Sequence, residues 1–306
     1  MAFAYVTNSG SGTVSVVDTT NNDLVGTVLV GGQPRGIAVT SDGKRIYVAD
    51  KGSNRVSVID TIDKQVIGEV EVGFFPSWLA VTPDGKRVYV TNEASNNVSV
   101  IATDTDTVEA TVQVGDRPFG IAIAPDGKHA YVANQGSDTV TVITTATNEL
   151  IGTISLSPPT DVSPRGIAIT PDGRRVYVAR DNSAIVSIID TVSNVVTGNV
   201  EAGADPLWVA VTPDGKHVLV ANEFGGPNVA IIAADTNARV AEVSDLEASV
   251  IAITPDSKNA YVTSFRSASV CVIDISSEVK TITARVAVEL NPFGIVIGSA
   301  PTIGNG

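Results

Sequence analysis

Two tryptophans, Trp78 and Trp208, are each followed fifteen residues later by a glutamate in the same dipeptide, Asn92-Glu93 and Asn222-Glu223. A carboxylate beside an indole can hold an organic cation, because ion pairing and attraction to the ring face act together. Partial burial would raise the carboxyl pKa and suit Glu93 or Glu223 to general-base work. Arg35 and Arg165 each precede an acidic residue at nearly the same interval, Asp50 and Asp181. Together with Arg180 they could clamp a carboxylate or phosphate in bidentate fashion. Phe119 with Asn134, and Phe293 with Asn8, repeat the spacing with a phenyl ring and an amide. Asp50, Asp116, Asp161, Asp181 and Asp205 fall in the same loops, where neutral pairs with the arginines are the plainer reading.

Other chemistries lack their residues. The two histidines, His129 and His217, each stand beside a Pro-Asp-Gly-Lys turn, so neither is placed for a Ser-His-Asp triad or a histidine metal site. Cys271 is the sole cysteine and lies in an apolar run, which suits a buried thiol and excludes an internal disulfide or a thiolate cluster. Asp104-x-Asp106 lacks the glycine and distal glutamate of a calcium loop. No metal and no cofactor are expected. A formal charge of −13 opposes binding to duplex nucleic acid. No apolar run reaches eighteen residues, so no membrane insertion is expected. The opening Met1-Ala2-Phe3-Ala4-Tyr5 carries no signal-peptide pattern, which implies a cytoplasmic protein if Met1 is native.

The elements that must position these residues are strands. Apolar residues come in short bursts rich in Val, Ile, Thr and Tyr, bounded by Gly, Pro, Asn and Asp, as in Ile46-Tyr47-Val48-Ala49 and Val56-Ser57-Val58-Ile59. Tyrosines at 5, 47, 89, 131, 177 and 261, with Leu219 in a seventh copy, recur every 42 residues, or 46 where the loop 157–164 is longer. Each copy holds four strand-sized runs, and a Pro-Asp-Gly-type turn joins its first two. Four short antiparallel strands per repeat make a propeller blade. The fold expected is all-β, a seven-bladed β-propeller in a single domain over residues 1–306. The chain begins with a second strand, and the unmatched first-strand run Pro292-Phe293-Gly294-Ile295-Val296-Ile297 lies near the other end. Blade one is therefore expected from 2–30 plus 292–298, which removes a free sheet edge.

Tyr5-Val6-Thr7-Asn8 and Tyr89-Val90-Thr91-Asn92, with variants at Tyr47, Tyr131 and Tyr177, resemble the motif of YVTN-repeat propellers over essentially the whole chain. Relatives in that family include archaeal surface-layer and bacterial periplasmic proteins, with lactonases among more distant seven-bladed propellers. The resemblance implies the fold and a periplasmic or cell-surface setting, but no single activity.

In a repeat protein the shared positions build the scaffold, so function is sought where copies diverge. The Pro-Asp-Gly-Lys hairpins barely vary. The loops at the other end of the blades do, and eight of the nine Phe and Trp residues lie in them or at the strands they feed: Phe74, Phe75, Trp78, Phe119, Trp208, Phe224, Phe265 and Phe293. An Arg, Trp, Phe order runs twice around the ring, interrupted at blade seven by Ser249-Val250. Frozen duplication would explain that order without function, and the rings could simply plug the channel. The leading expectation is a monomeric binding or interaction propeller, with no catalysis. Its channel mouth would take a small molecule or peptide through Arg35, Trp78, Phe119, Asn134, Arg165, Arg180, Trp208, Asn222 and Phe293. Alternatives are a metal-independent enzyme of lactonase, lyase or isomerase type with Glu93 or Glu223 as base, and a purely structural surface module.

Overall fold

The computed structural model describes residues 2–156, 162–223 and 228–299, so Asp161 and Phe224 lie outside the described residues. All regular structure among the described residues is β, arranged as seven four-stranded antiparallel sheets. The sheets stand around an axis as the blades of a propeller. The second and third strands of a blade are apolar runs buried on both faces, as in Arg45–Asp50 and Arg55–Asp60, because neighbouring blades cover both sides. Outermost strands such as Gln65–Glu71 alternate between exposed and half-buried residues, with one face toward water.

Blade one combines the two ends of the chain. Pro292–Ser299 pairs antiparallel with Ala2–Asn8, Tyr5 opposite Val296, and the sheet continues through Thr13–Asp18 to Asp23–Leu29. The innermost strands of blades two to six are Pro34–Val39, Pro76–Val81, Pro118–Ile123, Pro164–Ile169 and Pro206–Val211. Blade seven departs from them. Ala248 replaces the proline, and its inner strand shrinks to Ile251–Ile253.

The repeat tyrosines latch each blade to the next. Tyr47 donates its hydroxyl hydrogen bond to Asp106 at 2.7 Å, Tyr131 to Asn194 at 3.3 Å, Tyr177 to Asn237 at 2.9 Å and Tyr261 to Asn22 at 2.6 Å. Tyr89 reaches Asn148 in the same way. Every acceptor sits at the left-handed position of the following blade's outer turn, a conformation Asn and Asp tolerate best. The same face carries the Pro-Asp-Gly hairpins, which the outer turns bond directly, as Thr103 donates to the Gly85 carbonyl at 2.7 Å. In one of them Thr82 donates to Asp84 at 2.6 Å and the Lys86 amide does so at 3.1 Å, which holds the Asp84 carboxyl below its usual range.

Candidate ligand-binding site at the channel mouth

The inner strands bring the divergent residues onto the axis. Trp78 of blade three and Trp208 of blade six meet there with ring centroids 4.0 Å apart and planes tilted by 46°. Phe293 packs edge-on against Trp78 at 6.4 Å and against Phe119 at 6.5 Å. Trp78, Trp208 and Phe119 are only 6%, 7% and 3% exposed, so these rings fill the channel as core. The order of residues around the ring now has a packing cause. A methyl group at Gly36 would lie 2.7 Å from the Trp78 Cα, and one at Gly166 would lie 2.6 Å from the Trp208 Cα. The blade preceding each tryptophan must therefore carry glycine, and in both cases the residue before that glycine is arginine.

Those arginines lie over the phenyl rings of the preceding blades. The Arg35 guanidinium sits 4.8 Å from the Phe293 centroid, and that of Arg165 sits 4.8 Å from Phe119. Blades two to four and blades five to seven thus present related halves, and Thr hydroxyls fix the backbone beneath them. Thr7 donates to the Arg35 carbonyl at 2.6 Å, Thr91 to that of Phe119 at 2.6 Å and Thr263 to that of Phe293 at 2.8 Å. Arg165 pairs with Asp181 at 3.0 Å, while its Nε is buried with no acceptor. The Arg35 side chain makes no hydrogen bond or ion pair among the described residues. Burial, and then the like charge of Arg165, push its pKa down, with Glu93 opposing.

The two glutamates differ. Glu93 is held by Lys51 at 2.8 Å and Arg117 at 3.2 Å, and accepts from Ser77 at 3.2 Å. Burial raises its pKa, but the hydrogen bond and charge of Lys51, then Arg117 and Ser77, outweigh burial and hold it below the usual carboxylate range. The raised value expected from burial alone is therefore corrected: a carboxylate this well paired is a weak base. Glu223 is exposed and has no ion pair among the described residues.

Blade seven breaks the pseudo-twofold, and space opens there. A pocket of about 630 Å³ lies at the mouth, bordered by blades five, six, seven, one and two. Arg35, Arg165 and Arg266 line it, with Glu223 and Glu247 as its acidic groups. Phe265 and Phe293 supply aromatic wall, and Leu207 and Ser249 line it between blades six and seven. Small residues at Ala248 and Ser249 leave the room that aromatic rings take up at the equivalent places in blades one and four.

Of the residues singled out in the sequence, Arg35, Arg165, Glu223, Phe265 and Phe293 come together at this pocket. Trp78, Trp208 and Phe119 form the plug and do not line it. Asn134 is fully buried, donating to Thr139 at 3.0 Å and Thr141 at 2.9 Å across its own hairpin. Asn222 is likewise buried, donating to the Ala202 carbonyl at 2.9 Å. Arg180, which replaces that asparagine in blade five, is 2% exposed and lies outside the pocket. Phe74 and Phe75 project into solvent on the rim of blade three. Sequence reasoning missed Glu247, Arg266 and Ser249. Their signal was the broken pattern at blade seven, which reads as an interruption until the geometry turns it into a vestibule.

Fold and site together define a seven-bladed repeat propeller whose channel is closed by aromatic rings beneath a mixed-charge mouth. Comparison with known proteins agrees at the level of the repeat architecture. Residues 64–194 match the model of the lactonase family, a seven-bladed β-propeller, and residues 32–59 match the NHL repeat. No curated protein matches the chain. A chain of the hydrazine synthase of Kuenenia stuttgartiensis is 28% identical, with a TM-score of 0.75 over 86% of this chain and 89% of that one. A protein of unknown function from Desulfotomaculum acetoxidans shares the fold at 18% identity, with a TM-score of 0.83 over 97% and 98% of the two chains. A candidate 6-phosphogluconolactonase of Bacteroides uniformis shares it at 16% identity, with a TM-score of 0.81 over 97% and 99%.

Proposed function

We propose that this propeller is a binding module whose mouth takes a small organic anion, a carboxylate or a phosphate ester, between Arg35 and Arg165. One observation carries the reading: Arg35 is half-buried over Phe293, beside a second guanidinium, and has no acceptor among the described residues. A partly desolvated guanidinium without a protein acceptor is left under-satisfied, and an anionic ligand offers the missing partner in a geometry that suits it. The Thr7 hydroxyl bond to the Arg35 carbonyl sets that strand before any ligand arrives, which lowers the ordering cost of binding.

A second reading has its own support. The lactonase-family match over 64–194 and the exposed Glu223 on the pocket wall favour a hydrolase acting on an anionic lactone, with Glu223 as the base. Both readings meet in one experiment. A panel of carboxylates and phosphate esters is screened by thermal shift and followed by calorimetry, and the same panel's lactones are assayed for hydrolysis. Arg35→Gln is expected to weaken the best anion about 10- to 100-fold, since charge-assisted hydrogen bonds contribute roughly 1.5–3 kcal/mol. If no anion raises the melting temperature, the binding reading fails. Lactone turnover that Glu223→Gln abolishes, with the fold intact, would replace it with the enzyme.

A further inference from the structure

The pocket carries charges of both signs that do not pair with each other. Arg35 and Arg266 have no ion pair among the described residues, and neither do Glu223 and Glu247; Arg165 turns to Asp181. Among the described residues Glu247 Oε2 accepts only the backbone amide of Arg266, at 3.1 Å. In a chain of formal charge −13, unpaired guanidinium and carboxylate groups around one cavity would ordinarily meet. Here the cavity keeps them apart.

The related halves of the ring explain how this arises. Glu93 and Glu223 occupy equivalent places in blades three and six, and their amides bond to the equivalent carbonyls of Phe75 and Asp205. The cations that neutralise Glu93 are Lys51, in blade two, and Arg117, just before the inner strand of blade four. At the matching places in blades five and seven stand Asp181 and Glu247. Both cations have become acids. Asp181 is taken by Arg165, which leaves Glu223 and Glu247 at the seam of blades six and seven with no ion pair among the described residues. Phe265, 37% exposed, lines the same pocket, and an aromatic face beside carboxylates suits an ammonium group.

We infer that the ligand is amphoteric: its anionic group sits between Arg35 and Arg165, and its ammonium group faces Glu223, Glu247 and Phe265. The inference rests on the reading of the mouth as an anion site and adds the second pole. An amino acid or an amino-bearing acid meets both requirements, whereas a plain carboxylate leaves the acidic seam unused.

The test uses ω-amino acids of two to six carbons and the common α-amino acids, each compared by calorimetry with its matched carboxylate lacking the amine. At least one amino acid is expected to bind ten-fold or more tightly than its deaminated partner. Glu223→Gln/Glu247→Gln should erase that ratio while strengthening the carboxylate's own binding, since two negative charges leave the pocket, whereas Arg35→Gln weakens both. If carboxylates bind but the amine adds nothing, or the double variant preserves the ratio, the amphoteric assignment is overturned and the anion site stands. If neither series binds, both fall together.

Discussion

Glu93 and Glu223 show how little a residue's type says without its neighbours. They share a dipeptide and an interval, yet one is locked between two cations and the other faces a pocket. The locked one makes a pH prediction. Its folded pKa lies below the unfolded value of about 4.3, so its contribution to stability is complete above that value and disappears as pH falls through the folded pKa. Glu93→Gln is expected to cost about 1–2 kcal/mol at pH 7, the scale of a largely buried, hydrogen-bonded pair. In urea melts from pH 7 to pH 3 the gap from the parent protein should hold to about pH 5 and then close. A constant gap would mean that the carboxylate charge is irrelevant. Asn134 and Asn222 teach the same lesson from the other side. Their loop positions suggested a ligand, but a side chain at the end of a strand can also turn inward, as Asn134 does into its own hairpin and Asn222 onto the Ala202 carbonyl, and only the geometry tells the two apart.

At the scale of the element, nearly everything regular was legible: the strand runs, the turns and the tyrosine period. What the period did not reveal was the purpose of the tyrosine. Its hydroxyl reaches the left-handed residue of the next blade's outer turn, and two junctions lack the pair. Leu219 has no hydroxyl to offer. Tyr5 has one, but the facing turn places Lys64 at φ 53°, and no partner for the hydroxyl is seen among the described residues. Burial pushes the Tyr5 pKa up to about 12. Lys64→Asn should therefore stabilise the protein by about 1 kcal/mol. It relieves a left-handed lysine and supplies the missing acceptor. The check is a double-mutant cycle with Tyr5→Phe in urea. If Lys64→Asn gains as much in the Tyr5→Phe background, the gain is backbone relief alone and the latch at this junction is not made.

For the whole molecule the sequence showed the ring but not where the ring would open. Seven copies cannot divide into two equal halves. The related sets, blades two to four and five to seven, therefore leave blade one to complete the circle, and its Phe293 has to serve as the partner of both Arg35 and Trp78. Phe293 belongs to the strand that closes the ring, so the mouth and the closure share one element. Removing residues 292–306 would unpair the inner edge of Ala2–Asn8 and withdraw from the core Ile295 and Phe293, the ring beneath Arg35. Two large apolar side chains are worth about 1.5–3 kcal/mol each when buried, before any lost strand pairing. The truncated chain is therefore expected to lose about 5 kcal/mol or more and to expose a pairing edge that favours association. Adding the peptide 290–300 in trans should restore part of the stability, because the vacated groove between blades seven and two remains its template. Calorimetric unfolding decides the matter. A single transition in the parent protein, and its lowering in the truncated one with partial rescue by the peptide, would show that the seven sheets unfold as one closed unit. Unchanged melting after truncation would show that the other six blades hold without the clasp, and Arg35 could then be anchored only by its own strand.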